Sequence, residues 1–315
     1  MRRYAPTTIV LAAALSLTVV IFQGQQTDAD SRVVSMRTLN VRDILYLMTS
    51  GSSNSMALVR NDGVVLIDAG LPGWERPMRD ALFAVSDQPV TTIVNTNADA
   101  GRVAGNIGFP NAARIVAHRN AKAAMLKMEA FQGSNAKFLP NQTVTDQMSL
   151  LDGLDRIDLY YFGPAHTNGD LIVVFPEKHT AYLGDLFPAK AAPVIDFANG
   201  GSGVAFPQTL ARAVAEIHGV TRVITGQDLG VATPRNRAPL EGSEIFSNPQ
   251  TMTWADFREY AEFNRDFLAA VQEAIKAGKN SDEAEASLNL PHKYEKYNLQ
   301  RARANIQGIY QELKK

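Results

Sequence analysis

An α+β fold is predicted for this chain: an αββα sandwich of two mixed β-sheets flanked by helices. Three observations predict it. Strand-like and helix-like segments alternate through two similar halves, one from Arg32 to Ala130 and one from about Gln142 to Thr225. Several strand segments, such as Val64-Val65-Leu66-Ile67, are continuous apolar runs, as expected of strands covered on both faces. No internal repeat or low-complexity linker divides the halves, so two sheets packed face to face, with helices outside, is the economical arrangement.

The elements follow in order. Arg32–Val41, Ile44–Thr49 and Ser55–Arg60 read as short strands with apolar alternation. Asn61-Asp62-Gly63 is a hairpin turn, because Asp-Gly supplies the positive φ that such turns need. Val64–Asp68 is a buried strand ending in Ala69-Gly70, followed by a helix from about Trp74 to Val85. Thr91–Asn95 is a second buried strand, leading into a loop at Thr96–Gly105. Arg114–Ala117 reads as a strand and Asn120–Ala130 as a helix. In the second half Thr143–Leu151, Ile157–Phe162, Leu171–Phe175, Thr180–Leu183 and Arg222–Thr225 read as strands, with a helix over Gln208–His218. From Thr253 the pattern is helical to the end, broken at Gly278–Ser281 and Leu290–Pro291. Phe257, Tyr260, Ala261, Phe263, Phe267, Leu268 and Val271 give Trp254–Lys276 one apolar face that packs on the domain, whereas Lys293–Lys315 reads as a solvated helix.

The chain has 315 residues, 45% hydrophobic and 20% charged, which is enough to bury a sizeable core. A net charge of −1 gives no basic footprint for nucleic acid. With no cysteine, disulfides, thiolate catalysis and cysteine zinc sites are excluded. Arg2 and Arg3 precede an uncharged apolar run, Ile9 to Phe22, and then a polar stretch. That is the layout of a secretory signal peptide over residues 1–29, and the run is short of the about twenty residues a membrane span needs. The expectation is therefore an exported protein, periplasmic or secreted, with an uncleaved N-terminal anchor as the alternative and no other membrane span. The predicted organisation is residues 1–29 as signal, 30–250 as the sandwich and 251–315 as a helical extension packed on it.

Four segments carry the chemistry. They are Val64–Gly70 (VVLIDAG), Ile93–Asn106 (IVNTNADAGRVAGN), Gly163–Asp170 (GPAHTNGD) and Tyr182–Phe187 (YLGDLF), the last followed by Asn199-Gly200-Gly201-Ser202. Taken together, in this order and at these separations, they resemble the metallo-β-lactamase superfamily over about residues 40–230, and the helical tail looks like that of exported members. The resemblance implies the αββα fold, hydrolysis of ester, thioester or lactam-type bonds, and one or two zinc ions between the sheets. In such a site imidazoles and carboxylates bind zinc, and an open position holds a water whose pKa falls towards 7.

The ligand positions implied by the resemblance are largely changed. Asn97 and Asp99 stand at two His positions of the loop after the second buried strand, Gly101 at its Asp position and Arg102 at its last His position. Gln227 replaces a late His, and only His166 and Asp185 match. Glycine offers no ligand atom, and arginine is permanently cationic. His166, Asp185 and Asp99 are the remnant that zinc, iron or manganese would use. The expectation is nevertheless that no metal or other cofactor is bound, and that Arg102 turns into the old cavity to pair with Asp185, Asp99 or both, because a buried unpaired carboxylate is costly. Asp68 is expected to accept hydrogen bonds from the Thr96–Gly101 backbone and Asp170 to order the His166 loop. His118, His179, His218 and His292 lack metal-type spacing and read as ordinary core or surface residues, and the Gly-Gly-Ser-Gly run is no nucleophile elbow.

Two functions follow. The first is a non-catalytic protein that binds a small molecule or a partner protein in the exported compartment. The alternative is a hydrolase with a reduced one-metal site, in which His166 is the catalytic candidate.

Overall fold

The Asp62-Gly63 turn starts the first sheet by returning β3 (Ser53–Arg60) as β4 (Gly63–Ile67), with Arg60 opposite Gly63. The computed structural model of the chain describes residues 34–39, 44–227 and 251–314. The expected signal segment, residues 1–29, the ends of the expected Arg32–Val41 strand and the whole of residues 228–250 lie outside the described residues. On one side of the hairpin, β2 (Leu45–Ser50) and β1 (Ser35–Thr38) add antiparallel. On the other, β5 (Val90–Asn95), β6 (Arg114–His118) and β7 (Gln142–Val144) add parallel. The spatial order is β1-β2-β3-β4-β5-β6-β7.

The second sheet is built from β8 (Gln147–Leu150), β9 (Ile157–Tyr160), β10 (Ile172–Phe175), β11 (Thr180–Tyr182), β12 (Arg222–Ile224) and β13 (Thr251–Thr253), in the order β13-β12-β11-β10-β9-β8. Only β11 and β12 run parallel there. Both sheets are mixed, as predicted.

Side-chain alternation explains why these strands read as continuous apolar runs. Val65 and Ile67 of β4 face the layer between the sheets, where they meet Val94, Val116, Leu159, Val173 and Phe175. Their neighbours Val64 and Leu66 face outward onto Met78 and Leu82 of α1 (Glu75–Phe83), with Ile93 and Ile115. In the second sheet Val173 and Phe175 point inward, while Ile172 and Val174 pack on α4 (Phe206–Glu216) and α5 (Trp254–Lys276) through Leu210, Phe257 and Tyr260. A strand with helices on one face and a sheet on the other is apolar at every position.

Four expectations need correction. Thr143–Leu151 is not one strand: it crosses from β7 in the first sheet to β8 in the second, with Thr145 and Asp146 making the passage. Thr96–Gly105 is not all loop, since α2 (Ala100–Val103) and a 3₁₀ turn over Ala104–Gly108 lie in it. The helix expected over Asn120–Ala130 is α3 (Arg119–Met125), after which the chain tightens into 3₁₀ turns. The tail beyond α6 (Ser281–Ala286) is not simply solvated, because α7 (Ala302–Leu313) buries Ala302, Asn305, Ile306, Gly308, Ile309 and Tyr310. α5 itself buries Phe257, Tyr260, Phe263, Phe267 and Val271, and begins with a capping box between Thr253 and Asp256. No helix among the described residues is long and apolar enough to cross a membrane.

Candidate functional site

The carboxyl ends of β4, β5, β11 and β12 lie at one edge of the sandwich, and the chemistry-bearing residues follow directly from them. Asp68 comes after β4, Thr96 and Asn97 after β5, Asp185 after β11 and Gly226 after β12. Asp68 adopts the left-handed conformation, φ 59°, which Asp tolerates better than most residues. Its carboxylate accepts from the Thr96 N–H and hydroxyl, each at 2.8 Å, and from Tyr182 Oη at 2.9 Å. Burial pushes its pKa up to about 6, against the pull of Arg102 and of these hydrogen bonds.

Arg102 sits on α2, and its backbone is held before its side chain is considered. Its carbonyl accepts from Ala69 N–H at 2.8 Å and from Asn95 Nδ2 at 3.3 Å. A reciprocal amide pair between Asn95 and Asn106 ties the following turn to β5. The side chain then runs into the buried space between the strand ends, where the residue is 4% exposed. Nε donates to Asp185 Oδ2 at 2.8 Å and Nη2 to Oδ1 at 2.5 Å, a two-pronged pair. Nη1 faces Gly226 O at 2.6 Å, Ser53 Oγ at 3.0 Å and Asn54 O at 3.2 Å. A Cβ at Gly226 would lie 2.5 Å from Nη2 and 2.6 Å from the Gly184 backbone, so glycine there leaves room for the guanidinium. Burial disfavours the cation, yet Asp185 holds the Arg102 pKa well above the ordinary value. Conversely, burial would raise Asp185, but the Arg102 guanidinium prevails and holds its carboxyl well below the usual carboxylate range.

Asp99 does not join Arg102. Its Oδ2 lies 3.1 Å from His166 Nε2, and the other ring nitrogen, Nδ1, lies 3.0 Å from Val194 O. Both ring nitrogens therefore face acceptors, an arrangement that the doubly protonated imidazolium satisfies. Burial opposes this charge, but the hydrogen bond to Asp99, with Asp170 and Asp185 nearby, pushes the pKa up to about 10. The His166 side chain is 3% exposed and that of Asp99 37%, so Asp99 is the part of the pair that meets solvent. Asn97 Nδ2 bridges two carboxylates, at 2.9 Å to Asp185 and 3.3 Å to Asp170, while its Oδ1 accepts from Asp99 N–H at 2.9 Å. Asp170 in turn accepts from Thr167 N–H at 2.6 Å, which orders the turn after His166. Burial raises the Asp170 pKa, and His166 offsets part of that rise.

The structure thus brings Asn97, Asp99, Arg102, His166, Asp170, Asp185 and Asp68 together. Gln227 enters through its backbone carbonyl, which accepts from Asn54 Nδ2 at 3.0 Å and Thr225 Oγ1 at 2.8 Å. Gly101 contributes its carbonyl, 3.4 Å from Ser53 Oγ. Sequence reasoning missed Ser53, Asn54 and Tyr182, which close the polar network around Arg102, and Val194, which fixes the His166 ring. A signal for the first pair was present: Ser53-Asn54-Ser55 is a polar run opening an otherwise apolar strand.

Residues 48–258 match the family model described as Metallo-beta-lactamase superfamily. The chain belongs to that superfamily. Among solved structures, a metallo-β-lactamase from Pontibacter korlensis superposes with a TM-score of 0.56 at 14% identity, over 74% of this chain and 99% of that one. The sec-alkylsulfatase Pisa1 from Pseudomonas sp. superposes with a TM-score of 0.66 at 12% identity, over 87% of this chain and 49% of that one. At such identities these likenesses speak for the fold. The 2,4-dinitroanisole O-demethylase subunit alpha of Nocardioides sp. (strain JS1661) is 27% identical over 156 residues, 48% of this chain and 46% of that protein. The match spans about half the length of that curated relative.

The metallo-β-lactamase superfamily usually binds zinc or another metal between its sheets. The two-zinc centre does not fit the residues present here. The positions that the resemblance gives to ligands hold Asn97, Gly101 and Arg102, and the guanidinium already grips both oxygens of Asp185. A reduced group remains: ligand atoms of Asp99, His166 and Asp185 all lie within 4.8 Å of one another, close enough to share one ion. Each of these atoms is also engaged, Asp185 by Arg102 and Asn97, and His166 Nε2 by Asp99.

Proposed function

We propose that this chain is a metal-independent member of the metallo-β-lactamase superfamily that binds a small molecule or a partner protein in the exported compartment and does not catalyse hydrolysis. One observation carries the reading: the buried two-pronged pair between Arg102 and Asp185. A guanidinium in contact with the carboxylate that would otherwise bridge two metals supplies the positive charge there and repels a further cation. The His166–Asp99 pair adds a second organic cation beside it. The edge of this network that reaches solvent is Asp99, which makes it the natural contact for a ligand. The relative named as an O-demethylase subunit is consistent with a chain that works alongside another polypeptide. The apolar run after Arg2 and Arg3 supports export.

The test is elemental analysis of residues 30–315, purified without chelators and again after zinc or iron loading. The expected result is no metal in stoichiometric amount. A second reading is favoured by the Asp99, His166 and Asp185 group: a hydrolase with a reduced one-metal site. About one tightly held metal per chain, lost in His166→Ala together with turnover of generic esters or lactams, would establish that reading and overturn the first.

A further inference from the structure

The last helix of the chain reaches the site through one loop. Residues 193–203 pass from β11 towards α4, and they hold His166 from both its ring and its backbone. Val194 O faces Nδ1 of the ring at 3.0 Å. Asp196 N–H donates to the His166 carbonyl at 2.8 Å, and Ser202 N–H to the Ala165 carbonyl at 3.0 Å. The Gly201 backbone passes so close to the His166 carbonyl that a side chain there would collide with it.

What holds the loop is α7. Asn305, Gly308, Ile309 and Glu312 fall at i, i+3, i+4 and i+7, on one face of a helix. Each of the four touches the loop. The buried Asn305 Nδ2 donates to Pro193 O at 3.0 Å, one residue before the carbonyl that faces His166. Gly308 lies directly under the Phe197 ring, and Ile309 lies against Gly203. Glu312 takes two hydrogen bonds with its two oxygens, from Ser202 Oγ at 2.5 Å and from Gly203 N–H at 2.7 Å. Ile306, Ile309 and Tyr310 would attach α7 to the core without any of these polar contacts. The polar contacts are directed at the loop.

We propose that Asn305 and Glu312 are positioning residues for His166, acting through residues 193–203, so that the C-terminal helix is part of the site. Val194 O can only accept, so Nδ1 is the donor and the loop determines which way the imidazole points. The inference does not depend on whether the site holds the guanidinium pair or a metal, since either needs the His166 ring fixed.

The experiment is long-range proton–nitrogen NMR of the histidine side chains in the full chain, with His166 assigned by its loss in His166→Ala. In Glu312→Ala and Asn305→Leu, the His166 Nδ1–H should exchange with water about tenfold faster or more, as expected when a charged or buried hydrogen bond is removed from a locally opening segment. The ring signals of His118 and His179 should stay in place. Glu312→Gln, which keeps an oxygen for Ser202 and Gly203, should restore most of the protection. Arg303→Ala, whose partners Asp282 and Glu285 lie on α6, should leave His166 unchanged. Asn305→Leu keeps the volume of a buried side chain and is read alone if Glu312→Ala does not fold. Wild-type exchange at His166 in the folded variants would overturn the proposal, and so would an equal loss of protection in Arg303→Ala.

Discussion

Arg102→Met would leave the Asp185 carboxylate buried beside an apolar chain, and breaking a buried pair in this way costs about 3–5 kcal/mol. Urea denaturation should show that loss, and the double variant Arg102→Met with Asp185→Leu should lose less than Arg102→Met alone, because no charge is stranded. The network also sets a pH dependence. The folded pKa of His166, about 10, lies above its ordinary value of 6.5, so its contribution to stability is fully present below 6.5 and is lost as pH rises towards 10. Asp68, raised to about 6, binds its proton more tightly in the folded chain, so stability also falls as pH rises from about 4 to 6. Denaturation midpoints across pH should fall from 6.5 to 10 in the metal-free chain, and His166→Gln should flatten that limb. At this scale the sequence was informative where a residue type contradicts its surroundings. An arginine at a position that the resemblance gives to a ligand demanded a partner, and Asp185 was the one expected. Ser53 and Asn54 left only the polar run that opens β3 as a trace, with nothing to tie it to Arg102, and Tyr182 left none, because a tyrosine in a strand looks like core.

Elements differ in how openly the sequence announces them. The capping box at Thr253 and Asp256 opens α5, and Thr253→Ala should lower stability by about 1 kcal/mol, read as a fall in Tm. If Tm does not move, the capping hydrogen bonds contribute nothing measurable. Most strands of both sheets were legible because burial on two faces leaves continuous apolar runs. The three-residue β13 was not read as a strand, and three other elements were misread. The alternation of residues 142–151 continues across Thr145 and Asp146, and a period of two carries no mark of which sheet a strand joins. α2 was hidden by Gly101 and Gly105, which lower helix propensity. A Cβ at Gly105 would run into the Ala69 carbonyl, so that glycine is there for close packing and not for a loop. α7 was misjudged because Asn305 and Gly308, a polar and a small residue, sit on its buried face and dilute the apolar pattern.

Across the whole molecule the site joins the two sheets. Arg102 follows β5 of the first sheet, while Asp185 and Gly226 follow β11 and β12 of the second. A metal at such a place would stabilise the fold by binding the native state alone. Here the joint is made of side chains, so dialysis against a chelator should leave Tm where it was, and added zinc should not raise it. A rise with zinc concentration, absent in His166→Ala, would favour the one-metal reading.

The same guanidinium bears on how the chain can change over generations. Putting His at position 102 in a single step strands the Asp185 carboxylate and the Gly226 carbonyl at once, and still leaves Asn97, Gly101 and Gln227 without zinc-binding character. On the metal-independent reading, Arg102→His should therefore give a less stable protein that gains no zinc site. Selection for zinc-dependent activity from single substitutions should come up empty, and zinc binding should appear only when several of these positions are exchanged together.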